Sequence, residues 1–452
     1  MRKFVGRNRH TIMCAVKKIV LIVVIAVAMG CGSVYAVDLT FPATGHGVIS
    51  IDPEASSGLE RIYVAYDLNG LELTYTSAEG NTGVEWYKFN ESGGGYAQRI
   101  DGIAHNGAST TLNAPEGNCG YIVNDNNRQY CFWLVDYSRY YFAINSVSFP
   151  ELQDCGVATL EINAECNPIT YYTINGVPQE LDRQITIAYN TLEWDSENSV
   201  YNQTEVSESY ENIGERLVLP APLCNTVFTI SGDRFLREWG EERVLQTDTY
   251  ETVSIEVQAT ATQTQRENDN EQKDESSELG GSAPAEIEFQ SYYTDAVTHR
   301  EWVFARDSEF TDVELRLNED NVVHTFQENG TFYVKFIGSN ADGTCESESE
   351  TFQISIGESR LDCPNAFSPN ATEGVNDEWK VSYKSIISFS CWIFDRYGNK
   401  MCSFTDPALG WDGKYKGKFV KPGVYYYVIE ARGADGKEYN LKGSINILKS
   451  SK

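Results

Sequence analysis

The feature that most constrains this chain is a recurring pattern of short β-branched and aromatic runs, each ended by a turn signal. Residues 169–174 lead into Asn175-Gly176, a dipeptide typical of tight hairpins. Residues 424–429 form a similar run after Pro422-Gly423, and residues 441–448 alternate apolar and polar side chains. A chain of 452 residues has room for about three or four domains. The pattern predicts an all-β fold of tandem immunoglobulin-like β-sandwiches.

Two such sandwiches are expected in the first half of the mature chain, over residues 37–150 and 151–262. The first carries Trp86 on an early strand and Trp133 within an alternating apolar run. Exposed aromatic faces could stack on sugar rings, but core packing is the preferred interpretation for both tryptophans.

Residues 263–285 interrupt this pattern. They are rich in Gln, Asn, Glu and Asp, contain no aromatic residue, and end in Gly280-Gly-Ser-Ala-Pro284. Such a composition offers too little apolar area to fold by itself, so we expect an acidic flexible linker.

The next segment, residues 286–358, has a strand containing Trp302, a Thr325-Phe326 pair, a run Gly330-Thr-Phe-Tyr-Val334, and an Asp342-Gly343 turn after Asn340. It resembles the polycystic-kidney-disease (PKD) domain, which implies another immunoglobulin-like sandwich that acts as a spacer or binding platform.

Residues 363–452 carry several motifs in a fixed order, opening with Cys363-Pro-Asn-Ala-Phe-Ser-Pro-Asn370. The order resembles the gliding-motility-associated C-terminal domain, the type B sorting signal of Bacteroidetes type IX secretion. The resemblance implies a small β-sandwich that is recognised by the type IX secretion machinery, in a protein that is secreted or held on the outer cell surface. The motif positions are Pro364, Asn365, Phe367, Pro369, Asn370, Asn376, Asp377, Arg396, Tyr397, Gly398, Trp411, Asp412, Gly413, Gly417, Pro422, Gly423, Tyr425 and Gly443.

One departure from the family concerns the loop after Asn370. Family members usually have Gly-Asp-Gly there, whereas this chain has Ala371-Thr-Glu-Gly374. A cation-binding role for this loop is therefore not expected.

The N-terminus has the pattern of a secretory signal peptide over residues 1–36. Lys17-Lys18 precede an apolar run from Ile19 to Met29, and Val34-Tyr-Ala36 is a small-x-small cleavage site. Cleavage before Cys31, giving a lipoprotein, is the alternative. No second apolar stretch is long enough to span a membrane, so no transmembrane span is expected in the mature chain.

The charge is strongly negative and unevenly distributed. The net charge is −29 overall, residues 1–36 hold six basic and no acidic residues, and residues 363–452 hold 13 basic and 9 acidic residues. Residues 37–362 therefore carry about −39, a field that argues against nucleic acid as a partner. Solubility outside the cell explains it, with divalent cation binding as a weaker alternative.

Nine cysteines remain after removal of the signal peptide, and an oxidising compartment favours their pairing. We expect disulfides between Cys119 and Cys131, Cys155 and Cys224, and Cys391 and Cys402, with at least one cysteine left over. No CxxC motif supports a zinc site.

No catalytic motif is present. The sequence contains no HExxH, no GxSxG and no glycine-rich phosphate loop, so no enzyme activity and no cofactor is predicted. The predicted function is adhesion or ligand binding by a non-enzymatic exported protein, with a glycan or a host or cell-surface protein as ligand. The alternative is a glycan-binding accessory to extracellular polysaccharide or protein degradation.

Overall fold

The computed structural model describes residues 39–42, 45–272, 279–369, 371 and 374–448, which form four β-sheet units in chain order. The predicted signal peptide lies outside these residues. Strands dominate all four units, as the sequence pattern predicted. None of the helices in the described ranges is long and apolar enough to cross a membrane.

Unit one is a sandwich of a four-stranded sheet, β1-β4-β8-β7, and a six-stranded sheet, β2-β3-β10-β9-β5-β6. Trp86 is fully buried between the sheets, and its indole nitrogen donates a 2.9 Å hydrogen bond to Thr110 Oγ1 on the opposite sheet. The core position predicted for Trp86 is thus confirmed. The strands are β1 Leu39–Thr40, β2 Ile49–Ile51, β3 Arg61–Ala65, β4 Glu72–Thr76, β5 Glu85–Phe89, β6 Gln98–Arg99, β7 Ala104–Asn106, β8 Ser109–Asn113, β9 Cys119–Asp125 and β10 Arg128–Asp136.

Unit two contains a three-stranded sheet, β11-β12-β17, a four-stranded sheet, β16-β15-β18-β19, and the hairpin β13-β14. The predicted Asn175-Gly176 turn connects that hairpin, with Gly176 at φ 75°. The elements are β11 Phe142–Ser148, β12 Val157–Cys166, β13 Ile169–Tyr172, β14 Pro178–Leu181, β15 Ile185–Asp195, β16 Val200–Tyr210, β17 Arg216–Pro220, β18 Thr229–Gly232, the helix α1 Arg234–Glu238 and β19 Arg243–Gln246.

Units one and two share one hydrophobic core. The outer face of the six-stranded sheet of unit one packs against unit two, and Trp133 on that face lies 5.6 Å from the ring of Tyr172 in the hairpin. Trp133 is buried, as predicted, but in the contact between the two units. Alternation along one strand does not reveal what covers the second face of the sheet, so this shared core was not predicted.

The β13-β14 hairpin turn docks onto a glycine-rich turn of unit one. Gly94 N donates to Ile174 O at 2.7 Å, and Ile174 N donates to Ser57 O at 2.8 Å. A Cβ on Gly93, which has φ 83°, would lie 2.8 Å from Gly176 N and from Ile174 O. Glycine is therefore required at position 93 both by its φ angle and by the close approach of the neighbouring backbone.

Unit three begins earlier than the predicted residue 286. Its first strand, β20, pairs with β22, and β21 pairs with β28. Trp302 is fully buried between its sheets, β20-β22-β25 and β21-β28-β26-β23-β24 with β27 beside β26. The strands are β20 Val257–Gln263, β21 Leu279–Gly281, β22 Ala285–Tyr293, β23 His299–Ala305, β24 Val313–Leu317, β25 Asn321–Phe326, β26 Gly330–Ser339, β27 Glu346–Glu348 and β28 Phe352–Ile356.

The C-terminal unit is built around the five-stranded sheet β30-β37-β36-β32-β33, with the pairs β29-β31 and β34-β35 beside it. Its core contains Trp379, Trp411, Ile393, Ile429 and Ile445. The strands are β29 Arg360–Asp362, β30 Ala366–Phe367, β31 Ser382–Lys384, β32 Ile386–Phe394, β33 Lys400–Phe404, β34 Lys414–Tyr415, β35 Lys418–Phe419, β36 Gly423–Gly433 and β37 Glu438–Ile447.

A disulfide joins units two and three, and it corrects one predicted pairing. Cys155, in the loop between β11 and β12, is bonded to Cys345 of unit three, 190 residues away. Cys224 is therefore not its partner and has a free thiol. Packing of the two units brings these loop positions together. The spacing of cysteines along the chain does not reveal such a contact.

The other two predicted pairs are free thiols in this structure. Cys131 lies opposite Ile122 and Cys119 lies opposite Leu134, so the two cysteines point to opposite faces of the β9-β10 hairpin. Cys391 faces Phe404, whereas Cys402 faces Ile393, so these two lie on adjacent strands without being directly opposed. The two cysteines of each predicted pair flank a turn, so they lie on the two strands of one hairpin. The strand register, however, does not place them directly opposite each other, as a disulfide requires.

We expect Gly93→Ala to lower the free energy of unfolding by about 1–3 kcal/mol, because the new Cβ combines backbone strain with a clash against the docked hairpin turn. Gly95→Ala is the matched control, since nothing lies within 4 Å of a Cβ at that position. Denaturant unfolding of both variants measures the difference. Equal stabilities would contradict the close approach of the two turns.

Replacing both Cys155 and Cys345 by Ser should lower the free energy of unfolding by about 2–5 kcal/mol, because the cross-link no longer restricts the unfolded chain. Thermal unfolding with and without dithiothreitol tests this. The reductant should lower the Tm of the native chain and leave that of the double variant unchanged. A native Tm that is insensitive to reduction would refute the bridge.

Candidate functional site

Most of the sorting-motif residues build the core and turns of the C-terminal unit. Trp411 is the centre: its ring packs against Phe367 at 5.6 Å and Tyr425 at 5.3 Å, and its backbone pairs with Trp379. The Trp379 indole nitrogen donates to Pro364 O at 2.7 Å. These motif aromatics therefore define the shape of the unit and expose little surface of their own.

The glycines and Asp412 of the motif shape the connections around that core. Asp412 accepts a 3.0 Å hydrogen bond from Lys414 N and forms an ion pair with Lys414 Nζ at 2.8 Å. Gly413 has φ 72°, and a Cβ there would lie 2.8 Å from Pro369 Cγ. The ring of Tyr427 covers Gly443 so closely that a Cβ there would clash with its phenol oxygen. The remaining motif residues at turns are Gly398 at φ 83°, Gly417 at φ 78°, Gly423, which opens β36, and Pro422 before it.

The altered loop of the motif is only partly described. Asn370 lies outside the described residues. Ser368 N donates to Asn376 O at 3.0 Å, and the carboxylate of Asp377 accepts from Gly374 N at 2.6 Å. Asn365 O accepts from Asn446 at the other end of the unit. Within the described part of the chain, no group of three His, Cys, Asp or Glu residues is placed to hold a metal ion.

Exposed aromatic side chains with basic neighbours occur at two places on the C-terminal unit. Tyr397 is 76 % exposed and carries Arg396 over its ring at 4.9 Å. Tyr415 and Phe419, on the β34-β35 pair, are also exposed and lie under lysine side chains. These exposed side chains are accessible to a partner, in contrast to the buried aromatics of the unit.

The predicted flexible linker is instead attached to the C-terminal unit over residues 264–272, which we name the strap. The Asn270 side-chain nitrogen donates to Val381 O and to Pro407 O, each at 2.8 Å. Tyr383 N donates to Asn270 O at 3.1 Å, and Gln272 N donates to Tyr383 O at 2.7 Å. The strap thus forms an isolated parallel β-bridge with β31, between Glu271 and Tyr383, so the linker expectation is corrected for these residues. Residues 273–278 lie outside the described residues.

Charged side chains complete the strap. The Glu271 carboxylate is fully buried and pairs with Arg266 at 2.5 Å, while Asn268 donates both to Glu271 and to the Tyr383 hydroxyl. Asp269 pairs with Lys380 of the C-terminal unit at 3.2 Å. The polar residues that predicted a solvated linker therefore include Asn268, Asp269 and Asn270, whose side chains bind the C-terminal unit. Polar side chains of this kind also satisfy unpaired backbone groups.

A second contact joins unit three to the C-terminal unit. Ser385 is fully buried: its N donates to Ser282 Oγ at 2.9 Å, and its Oγ donates to Gly357 O at 2.7 Å. Asn329 N donates to Ala434 O at 3.2 Å. The sorting motif is therefore held against unit three at several points.

The most concentrated polar network lies at the junction of units one and two. Arg183 and Asp233 are fully buried and form an ion pair at 2.7 Å. The Tyr137 hydroxyl donates to Asp233 at 3.0 Å, and Arg183 donates to the carbonyls of Tyr140 and Asn167. Every one of these groups binds a protein partner, so the network is structural and leaves no group to act on a substrate.

Above this network is a cleft of about 210 Å³, which we name the junction cleft. Beside it the His46 ring stacks on Tyr66 at 3.9 Å, and both side chains bind Glu241, Tyr66 through a 2.9 Å hydrogen bond and His46 at 3.1 Å. The Tyr66 hydrogen bond lowers the pKa of Glu241 and raises that of Tyr66. The lining residues are Tyr66, Tyr137, Ser138, Tyr141, Phe142, Leu236 and Arg243.

Sequence reasoning missed the junction cleft. No local motif marks His46 or Asp233, and Asp233 caps α1 through a 3.0 Å bond from Leu236 N. A clue was present in the dense tyrosines of residues 137–141, but their clustering with residues 234–243 depends on domain packing.

The free cysteines offer no reactive thiolate. Burial raises the pKa of the Cys391 thiol to about 12 and those of Cys119 and Cys131 to about 11. These thiols are protonated at neutral pH, so they act as small apolar side chains.

Two segments match known protein families. Residues 361–447 match the CHU_C Type IX secretion signal domain, which confirms the resemblance seen in the sequence. Residues 147–247 match the Fibronectin type III domain, within unit two. The secretion signal domain indicates handling by the type IX secretion machinery and export to the cell surface or the extracellular space.

Comparisons of the whole chain are much weaker. The tetra-tandem repeat in the extending region of a large adhesion protein aligns over 85 % of this chain and 97 % of its own, at 12 % identity and a TM-score of 0.23. The mouse nectin-like molecule 4 ectodomain aligns over 65 % of this chain and 95 % of its own, at 9 % identity and 0.22. Such scores carry no functional argument. A comparison with curated protein sequences finds no match.

We expect Asn270→Ala to destabilise the C-terminal unit by about 1–3 kcal/mol, because it leaves the carbonyls of Val381 and Pro407 without their donor. Hydrogen exchange at the Tyr383 and Gln272 amides should accelerate in this variant. The control is Glu267→Ala, an exposed strap position that should leave the rates unchanged. Unchanged exchange in both variants would show that the strap is not held by this side chain.

Proposed function

We propose that this chain is a non-enzymatic protein that is displayed outside the cell, where units one to three present a ligand-binding surface and the C-terminal unit directs export. The observation that carries the proposal is the match of residues 361–447 to the type IX secretion signal domain, at the end of a series of β-sandwiches. Sandwiches of this type are widely used as binding and spacer modules.

The contacts between units support a display role. Units one and two share a core, a disulfide joins units two and three, and the strap together with Ser385 joins unit three to the C-terminal unit. A ligand-binding surface that must act outside the cell benefits from such joints, because fixed geometry reduces the entropy lost on binding. The disulfide also suits an oxidising compartment.

The arrangement of polar groups supports a non-enzymatic role. The buried Arg183–Asp233 pair is satisfied by protein groups, and the described cysteines that are free have raised pKa values wherever a shift is resolved. An enzyme would need a cleft in which unsatisfied polar groups converge. The junction cleft has an apolar floor, which suits binding better than catalysis.

The alternative function is a glycan-binding accessory to extracellular polysaccharide or protein degradation. The junction cleft favours it, since Tyr141 is 56 % exposed beside the cleft. The two functions share a non-enzymatic binding step and differ in whether an enzyme acts on the same polymer.

Export is tested by deleting residues 363–452. We expect the truncated protein to remain in the periplasm and to lose labelling by a membrane-impermeant reagent on whole cells, since the secretion signal domain is gone. The full chain with the same tag and a periplasmic marker protein are the controls. Labelling of the truncated protein at the level of the full chain would defeat the proposal.

A further inference from the structure

The walls of the junction cleft present ring faces and few hydrogen-bonding groups. The hydroxyls of Tyr66 and Tyr137 already donate to the carboxylates of Glu241 and Asp233. Phe142 is buried and contributes an apolar floor with Leu236. A ligand in the cleft therefore contacts apolar surface on one side, and its polar groups must be satisfied at the rim.

The rim supplies an exposed aromatic ring and an exposed guanidinium. Tyr141 is 56 % exposed, so one face of a ligand could rest on it. Arg243 is exposed, and the structure shows no hydrogen bond or ion pair of its guanidinium with the described residues, although it lies close enough to Glu241 and Tyr66 to influence their pKa values. Its planar fork of donors is available to hydroxyl oxygens of a ligand.

The rings are also held in place, so the cleft exists before a ligand binds. His46 stacks on Tyr66, and Trp239 packs edge-on against Tyr66 and Tyr137, each at 5.1 Å. The Trp239 indole nitrogen is fixed by a 2.7 Å hydrogen bond to Gly47 O. A preformed aromatic wall loses little conformational entropy when it is covered.

Size and charge restrict the ligand. A volume of about 210 Å³ is below the roughly 300–1,000 Å³ of pockets for drug-sized molecules, so it accommodates about one ring. The charge of about −39 on residues 37–362 disfavours anionic ligands. A neutral ring with an apolar face and several hydroxyls at its edge fits these limits.

We propose that the junction cleft binds one neutral pyranose ring of a glycan, with the C–H face of the sugar on Tyr141 and its hydroxyls at Arg243. The assignment rests on the proposed function of units one and two as a ligand-binding surface, and it specifies the ligand class. The side chain of Tyr141 sets the position of the sugar face, and Arg243 recognises the hydroxyl edge.

The test uses the full mature chain and an array of neutral oligosaccharides of glucose, galactose, mannose and N-acetylglucosamine, followed by calorimetry with the best binder. Tyr141→Ala and Arg243→Ala should each weaken binding about tenfold, the size of one aromatic or charged contact. Tyr96→Ala is the matched control, because Tyr96 is 78 % exposed on unit one and outside the cleft lining. Its affinity should equal that of the native chain.

Each other outcome overturns the assignment in a recognisable way. Glycan binding that survives both cleft substitutions places the sugar elsewhere and leaves the display function intact. Absence of binding to every neutral saccharide refutes the site, whereas failure of surface labelling of the full chain refutes the display function itself.

Discussion

The buried ion pair between Arg183 and Asp233 is the interaction on which the first half of the molecule depends. Arg183 also donates to the carbonyls of Tyr140 and Asn167, and Asp233 also accepts from Tyr137 and caps α1. One guanidinium thereby connects the end of unit one, the β12-β13 connection and the helix of unit two. Removing one partner of such a pair typically costs about 3–5 kcal/mol, since the other charge stays buried. The junction cleft lies directly against this network and depends on it for its shape.

Each of the other contacts between units also fixes one unit against its neighbour, but through a different interaction. The hairpin turn at Ile174 packs directly against the backbone of Gly93 and Gly94 in unit one, because these residues have no side chain to keep it away. A covalent bond replaces packing between Cys155 and Cys345. At the C-terminal unit, the side chain of Asn270 in the strap donates hydrogen bonds to the carbonyls of Val381 and Pro407. At the hairpin turn and at the strap, a polar or backbone group finds its hydrogen-bond partner in a different unit, and the disulfide joins two units covalently. The position of each unit therefore depends on its neighbour.

Local pattern predicted the elements well where the decisive partners are close in sequence. The Asn175-Gly176 hairpin and the core positions of Trp86 and Trp133 all follow from alternation and turn chemistry, which are local. The predicted disulfides and the flexible linker differ from the structure for the opposite reason. A cysteine pairing depends on strand register and domain packing, and the strap owes its order to carbonyls of a unit more than a hundred residues away.

The sequence by itself therefore determined the all-β class, the tandem organisation and the export signal, because alternation, turn residues and ordered motifs are written along the chain. Only the tertiary structure decided where the units touch, which cysteines pair, and that Tyr66, Tyr141 and Arg243 line one cleft. These features depend on side chains that are separated by up to 190 residues in the sequence. Such side chains come close together only because whole sheets pack against one another and bury apolar surface. No local pattern encodes that proximity.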